Sequence, residues 1–351
     1  MDQQPLDWGL ENAIADIKAT QDAAAEDTSV GARRERTAET LHSTILREFR
    51  DQIVAVAQGK SRIAILVDNL DKSWSRSADL GEMAEFLLGL LSAANRLRRD
   101  LTRRVPGRTE PLDVTMTVFL RADIFERVRA AAREPDKITS SRVEWDDPEL
   151  LYAIAEERYL ATQAEGADGS DLWGKYFCGE VQGKSPRDYI AEVALPRPRD
   201  FLYFLKSAID VAVNRRHSTV EEEDIVSAER EYSQFACEVI LVEDTLHEDL
   251  DLEGLLLEFV GCDSLLNEAE IDELILRAAV PQEQVESVLE QLCWLGFLQP
   301  EVAEGEFRTP RSTNDYRRLQ MLARRLGERR GGPTASYRVH PAFRKFLDIG
   351  A

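Results

Sequence analysis

Two acidic side chains follow a short apolar run near residue 68 and could serve metal-assisted phosphate chemistry. The run Arg62-Ile-Ala-Ile-Leu-Val is followed by Asp68-Asn-Leu-Asp71. A buried parallel strand that ends in a carboxylate presents it at the edge of the sheet where α/β proteins bind ligands. Asp68 could hold Mg²⁺, a hard cation that prefers oxygen ligands, and Asp71 could polarise an attacking water. The alternative is an ordinary strand followed by an asparagine-containing turn.

A second apolar run also ends in polar residues. Val114–Leu120 is followed directly by Arg121 and then by Asp123. At the same edge of a parallel sheet, Arg121 could stabilise the negative charge that develops on a transferred phosphate. The alternative is an ion pair between Arg121 and Asp123.

The two apolar runs predict a strand–helix–strand unit. Both are short, continuous and rich in β-branched residues, which is typical of strands buried in a parallel sheet. A helical pattern over about residues 78–102 connects them, and such a connection favours parallel pairing. The segments 9–25 and 40–57 are helical in composition or periodicity.

Beyond residue 148 the pattern is helical, and it changes again in the last hundred residues. The periodicity predicts three longer helices, at about 148–163, 199–215 and 220–240. Shorter helices are predicted at about 250–260, 268–278 and 282–295. Two strands follow, one entered near residue 297 and one at Ala335–His340. This order is the outline of a winged helix-turn-helix. About 35 Arg-rich residues separate its two wing strands, a long insertion.

Several segments taken in order resemble one family. VDNLDKSW, TVFLRADIFERV, Asp136-Lys137, VEWDDPELLYAIAEERY and LPRPRDFLYFLKSAIDVA are similar to bacterial P-loop ATPases of the STAND and KAP-like group. These AAA+-related proteins are often found in signalling and anti-phage defence. The resemblance covers about residues 60–235. It implies that Asp68 is the Walker B aspartate and that Arg121 lies at the sensor 1 strand. It also implies that Arg199 is a lid-helix arginine reaching the phosphates of ATP bound with Mg²⁺.

The phosphate-binding loop of that family is missing. A Walker A loop reads G-x-x-x-x-G-K-[ST], so that backbone N–H groups and the lysine cradle phosphate. Gly59-Lys60-Ser61 and Gly183-Lys184-Ser185 lack the first glycine. The segment Gly169–Lys175 has both glycines, but Tyr176 replaces the hydroxyl residue and a helix precedes it, which favours a loop before the lid helices. We therefore expect the C-terminal part of a longer ATPase, a split-gene partner or a degenerate descendant, without autonomous ATP hydrolysis.

The net charge of −21 over 351 residues is unevenly distributed. Residues 218–307 hold 25 acidic and two basic residues, whereas residues 308–351 hold 11 basic and three acidic ones. The predicted recognition helix carries three glutamates and neither Lys nor Arg, so it is poorly suited to reading DNA. A protein partner through the winged helix is expected ahead of nucleic acid. We expect the Arg-rich insertion to fold onto the acidic module beside it; the alternative is a basic helix that binds nucleic acid or an acidic partner.

Other residue types indicate a cytoplasmic protein. The four cysteines are far apart and form no C-x-x-C pair, which is typical of reduced thiols. The polar, acidic N-terminus does not read as a secretory signal. The longest apolar run, Phe86–Ala94, is about half of a membrane span. The four histidines have no matching catalytic partner in the sequence, so we expect them at the surface or as satisfied core residues.

These observations give one architecture and two functions. Residues 1–145 are predicted as a partial α/β P-loop core, 146–240 as a mostly helical lid, and 241–351 as an acidic winged helix with an Arg-rich wing insertion. The chain should be predominantly helical overall. The favoured function is the regulatory half of a nucleotide switch that acts with an ATPase partner subunit or as a homo-oligomer. The alternative is a non-enzymatic winged-helix adaptor that binds protein or DNA.

Overall fold

The computed structural model describes residues 60–70, 80–103, 113–243, 250–332 and 335–350. The predicted helices at 9–25 and 40–57 lie outside the described residues. The chain divides into two compact units, Met1–Thr139 and Ser140–Ala351. The described part is predominantly helical with small sheets, as predicted. None of its helices combines the length and the apolar character that crossing a membrane requires.

Within its described residues, the first unit contains two strands, two α-helices and a short 3-10 helix at Pro135–Lys137. The strands and α-helices are β1 (Arg62–Val67), α1 (Leu80–Arg103), β2 (Asp113–Val118) and α2 (Ala122–Ala131). The strands pair in parallel from Arg62 opposite Asp113 to Val67 opposite Val118. The strand–helix–strand prediction is therefore confirmed.

Two small apolar clusters hold this unit together. Ala84 and Leu87 of α1 are buried against Ile124 and Val128 of α2. Val114 of β2 is buried with apolar residues of β1 and α1 around it. Since both strands are rich in β-branched residues, they suit the pleated, half-buried surface on which α1 packs.

The second unit begins with five helices. They are α3 (Pro148–Leu160), α4 (Asp171–Tyr176), α5 (Pro186–Val193), α6 (Pro198–Arg215) and α7 (Glu222–Glu243). The predicted helices at 148–163, 199–215 and 220–240 correspond to α3, α6 and α7. Helices α6 and α7 pack against each other through aromatic rings, with Phe204 and Tyr232 stacked at 5.0 Å and Tyr203 and Phe235 at 3.8 Å.

The rest of this unit contains both helices and short strands. They are α8 (Leu252–Leu257), β3 (Leu265–Asn267), α9 (Glu268–Arg277), α10 (Val285–Trp294), β4 (Leu298–Ala303), β5 (Glu306–Phe307), α11 (Thr313–Arg329), β6 (Ser336–Val339) and α12 (Pro341–Arg344). The strands form one antiparallel sheet in the order β3-β6-β4-β5. The start of α9 is fixed by a capping box, in which Asn267 and Glu270 bind each other's backbone N–H groups.

The Arg-rich insertion forms β5 and the 17-residue helix α11. Tyr316, Leu319 and Ala323 are buried on one face of α11. Arg324 of α11 binds Glu268, and Arg330, directly after the helix, binds Glu301. The prediction that this segment folds onto the acidic module is confirmed at these two arginines.

One hydrophobic core runs through the second unit. Buried residues from Leu151 to Ile349 belong to a single cluster. Helix α7 packs against α12, and the backbone N–H of Phe346 donates to Ser233 Oγ at 3.0 Å. The helices that precede residue 240 and the elements that follow it therefore share their apolar interior.

Candidate functional site

Asp68 lies at the carboxyl edge of the parallel sheet, directly after β1. The backbone N–H of Phe119 donates to Val67 O at 2.9 Å, so the chains that leave β1 and β2 are held side by side at this edge. Asp68 is exposed, and its Oδ1 accepts from the backbone N–H of Asn69 at 2.7 Å. Asn69 has a φ of 62°, a left-handed conformation that asparagine adopts more readily than most residues. The carboxylate is therefore set in a tight turn and open to solvent.

Arg121 follows β2 at the same edge and directly precedes α2, without a side-chain hydrogen bond to the helix start. Its Nε and a terminal nitrogen donate to the two carboxylate oxygens of Asp123, at 3.1 and 2.8 Å. The ion pair that was the alternative interpretation is therefore present. It fixes the direction of the guanidinium, whose side chain is 33% exposed. Asp71, the proposed water-polarising carboxylate, lies outside the described residues.

Arg199 lies in the second unit, in the first turn of α6, and is exposed. The next residue, Asp200, is buried, and its Oδ1 accepts from the hydroxyl of Tyr232 at 3.1 Å. That hydroxyl in turn accepts from the backbone N–H of Leu195 at 2.8 Å. This buried network anchors the start of α6 and holds Arg199 at the surface. Asp68 and Arg121 thus belong to one unit and Arg199 to the other.

The segment Gly169–Tyr176, which has part of the phosphate-loop pattern, is largely helical. Asp171–Tyr176 is helical rather than an open loop, and Lys175 is held by Asp171 at 2.6 Å. A Cβ added at Gly169 would lie 3.0 Å from Glu156 Cβ, so this glycine permits close packing on α3. The predicted loop before the lid helices is therefore partly a short helix.

His217 has a partner that sequence reasoning missed. Its Nδ1 lies 2.8 Å from Oδ2 of Asp224, whose side chain is fully buried. Asp224 also accepts from Arg215 at 2.8 Å and from the backbone N–H of Glu221 at 3.0 Å. Burial would raise the pKa of Asp224, but the hydrogen bonds from His217, Glu221 and Arg215 outweigh it and lower the pKa. The loop between α6 and α7 is thereby locked.

A metal ion fits this cluster poorly. His217, Glu223 and Asp224 each offer a ligand atom, and these atoms lie within 4.8 Å of one another. However, one terminal nitrogen of Arg215 lies 2.8 Å from Asp224 and 3.9 Å from Glu223. The guanidinium thus supplies the positive charge that a metal would bring. His217 is a satisfied histidine, as expected, although its partner is seven residues away in sequence.

A cavity of about 360 Å³ lies beside His217 within the helical part of the second unit. Its walls are mainly apolar, with Tyr159, Phe177, Ile209 and Val213 among them. The volume lies at the low end of the range for small-molecule pockets, about 300–1,000 Å³. His217 also lines this cavity, and its Nδ1 is taken up by Asp224.

Comparison with known proteins gives one family match. Residues 148–240 match the family model described as the FunZ-associated C-terminal helical domain. The match covers α3 to α6 and most of α7, the helices predicted as a lid. No curated protein matches the chain.

A solved structure is similar over most of the chain. The Aeropyrum pernix ORC2 protein, determined in its ADP form, aligns with 82% of this chain and 85% of its own, at 14% sequence identity and a TM-score of 0.31. A TM-score of this size does not establish a common fold.

Proposed function

We propose that this chain is the regulatory portion of a P-loop ATPase switch of the STAND or KAP-like type, without autonomous ATP hydrolysis. The observation that carries the proposal is the parallel β1–β2 pair, with Asp68 and Arg121 following the two strands at one edge. A metal-binding carboxylate and a phosphate-facing cation are the groups that nucleotide chemistry needs at such an edge. Roles in bacterial signalling or anti-phage defence belong to the same proposal.

The candidate residues could hold Mg²⁺ and ATP phosphates only in part. Asp68 is an exposed carboxylate, suited to Mg²⁺ directly or through water. Arg121 and Arg199 could face phosphates. The sequence contains no full G-x-x-x-x-G-K-[ST] motif, so the cradle for the phosphates would come from another segment or an ATPase partner chain. Bound Mg²⁺ would neutralise phosphate charge, and Asp71 remains the proposed polarising base.

The elements after the sheet support a coupling role. The helices matching the FunZ-associated domain carry Arg199 at the start of α6. The helices α8, α9 and α10 follow, together with antiparallel strands in the spatial order β3-β6-β4, of which β3 lies between α8 and α9 in the chain. We propose that these elements form a winged helix that passes the nucleotide state to a protein partner. Their common core with the preceding helices would transmit a movement of the lid.

Nucleotide binding tests the switch. Mg-ATP binding is measured by calorimetry for the chain alone and for the chain mixed with the neighbouring gene's product, where that product carries a Walker A strand and helix. We expect weak or no binding alone and clear binding by the mixture, with at least a tenfold loss in Asp68→Asn. Asp113→Asn is the control, because Asp113 begins β2 at the opposite edge. The same affinity for wild type, Asp68→Asn and Asp113→Asn would contradict the proposal, as would no binding by the mixture.

The rival function is a winged-helix adaptor that binds protein or DNA. Arg325 and Arg329 of α11 are exposed, and among the described residues neither has a carboxylate within ion-pair distance. Glu286 and Glu290 of α10 oppose DNA binding, so a protein partner is the stronger form of the rival. Salt-sensitive retention of a DNA duplex by the wild-type chain, lost in Arg325→Gln/Arg329→Gln, would support the DNA form.

A further inference from the structure

One cavity in the second unit has walls without charged side chains. The cavity of about 360 Å³ is lined by residues of α3, α4, α6 and the loop before α7. Among the described residues that line it there is no Lys, Arg, Asp or Glu, although these types make up 31% of the chain. The rings of Tyr159, Tyr176 and Phe177 and the side chains of Ile209 and Val213 contribute to its wall. A charged ligand would find no counter-charge here, so the lining favours an uncharged one.

Hydrogen bonds between backbone groups fix the wall of this cavity. The backbone N–H of Val220 donates to Tyr176 O at 2.7 Å, and that of Cys178 donates to Val220 O at 2.8 Å. The end of α4 and the segment before α7 are thereby joined. The ring of Phe177 also packs against that of Trp173, with 5.2 Å between the ring centres. The wall is therefore formed by contacts within the protein, as is usual for small-molecule sites.

Large apolar side chains are exposed at the cavity. Ile209 and Val213 lie one turn apart on α6, and both are exposed, as is Tyr176 of α4. Of the four large apolar residues that are exposed in α3 to α6, these three line the one cavity. Exposed apolar side chains that gather at a concave place are typical of a binding surface.

His217 supplies a polar group at the wall. Its Nδ1 lies 2.8 Å from Oδ2 of the buried Asp224. Because a carboxylate can only accept, Nδ1 carries the proton of the neutral imidazole, and Nε2 is then an acceptor. Nε2 lies 3.8 Å from a carboxylate oxygen of Glu223, which is too far for a hydrogen bond. Within the described part of the chain, Nε2 therefore remains available to a donor group on a ligand.

We propose that this cavity binds an uncharged, planar aromatic molecule whose hydroxyl or N–H group donates to His217 Nε2. Aromatic walls suit such a ring, because edge-to-face and offset ring contacts contribute beyond the burial of apolar area. Tyr159 and Tyr176 already meet edge to face, with 5.8 Å between their ring centres. The small volume restricts the ligand to one or two rings. The site lies within the second unit, and it does not depend on the proposed switch function.

Three naphthalene derivatives of similar size test the site on the full chain by calorimetry. Naphthol carries a donor, methoxynaphthalene has none, and naphthoate is charged, with the substituent at the same ring position in all three. We expect saturable binding of naphthol, at least fivefold weaker binding of methoxynaphthalene and at least tenfold weaker binding of naphthoate. Absence of saturable naphthol binding, or equal affinities for the three compounds, would overturn the proposal.

Two exposed valines provide a matched pair of variants. Val213 lines the cavity, whereas Val242, near the end of α7, is exposed and is not among the lining residues. Since neither side chain is buried, both glutamine variants should fold, which the melting temperature checks. We expect Val213→Gln to weaken naphthol binding at least fivefold and Val242→Gln to leave it within twofold of wild type. Equal naphthol affinities in the two variants would contradict a site at this cavity.

His217→Asn tests the polar contact. The asparagine N–H can still donate to Asp224, but the variant has no counterpart of Nε2. We expect naphthol to bind at least fivefold more weakly, close to the affinity of methoxynaphthalene, whose own binding should change less than twofold. Unchanged naphthol binding, or an equal loss for both compounds, would contradict the hydrogen bond to Nε2.

Discussion

The guanidinium of Arg330 donates to both carboxylate oxygens of Glu301, at 2.7 and 3.0 Å. Glu301 is buried on β4, and its Oε1 also accepts from the backbone N–H of Gly305 at 2.9 Å. The hydrogen bond from Arg330 is the main cause that lowers the pKa of Glu301; burial opposes it and the Gly305 bond reinforces it. Because Arg330 directly follows α11, this pair ties the end of the Arg-rich helix to the sheet.

We predict that Glu301→Gln lowers the free energy of unfolding by about 1–3 kcal/mol at pH 7, because a charge-assisted hydrogen-bond pair is lost. The pKa of Glu301 is lower in the folded chain than in the unfolded one. Its contribution is therefore present above the unfolded value and disappears as the pH falls through the folded value. Urea unfolding at pH 7 and near pH 3 measures both effects. Glu304→Gln, at an exposed neighbour, should change stability by less than about 0.5 kcal/mol; equal losses in the two variants would refute the role of the pair.

His340 also makes the stability depend on pH, but the cause is burial of the ring rather than an ion pair. The backbone N–H of Ala342 donates to its Nδ1 at 3.1 Å, so the neutral ring caps α12. The unfolded histidine has a pKa of 6.5 and the folded one about 3, so between these values only the unfolded chain takes up the proton. Stability therefore falls as the pH decreases below 6.5, by about 1.5 kcal/mol from this residue between pH 6.5 and 5.

His340→Asn should remove that contribution. Asparagine can cap a helix through its side-chain oxygen and does not titrate. Denaturant unfolding of wild type and variant is compared at pH 7.5, 6.5 and 5. The wild type should lose more stability than the variant over the lower interval. Parallel losses in the two proteins would show that His340 is protonated without penalty in the folded state.

The hydrogen bonds from Arg215 and His217 to the buried Asp224 give a further prediction. Asp224→Asn leaves His217 and Arg215 without their buried carboxylate, and we expect a loss of about 2–3 kcal/mol in the free energy of unfolding. Glu223→Gln is the matched control, since the Glu223 side chain is 69% exposed and a surface ion pair contributes about 0–1 kcal/mol. Thermal and urea unfolding measure both. Stabilisation of the wild type by Zn²⁺, absent in Asp224→Asn, would instead indicate a metal site.

The longer elements could be predicted from the sequence because each has a local signal. β1 and β2 are continuous apolar runs, and α3, α6 and α7 have apolar residues at helical spacing. Among the described elements, α2, α4, α5, α12, β3 and β5 were not predicted. Such short elements carry little periodicity and are stabilised mainly by packing. β3 pairs with β6, some seventy residues later in the chain, and no local pattern specifies that contact.

The candidate site could be predicted only in outline. Because polar residues follow both strands, the sequence predicted that Asp68 and Arg121 lie at the same edge of the sheet. The ion pair between Arg121 and Asp123 could also be predicted, because the two residues are only two positions apart. His217 and Asp224 were missed because the loop that joins α6 to α7 brings them together.

The hydrogen bond between Phe346 and Ser233 links the end of the chain to α7. The family match ends at residue 240, yet α7 buries one face against α12, near the end of the chain. Separation at that boundary would remove α12 from α7 and leave the buried Ser233 without its partner Phe346. Because the matched helices and the C-terminal elements share one hydrophobic core, we expect them to unfold together, and we expect a fragment that ends at residue 240 to expose apolar surface that is buried in the whole unit.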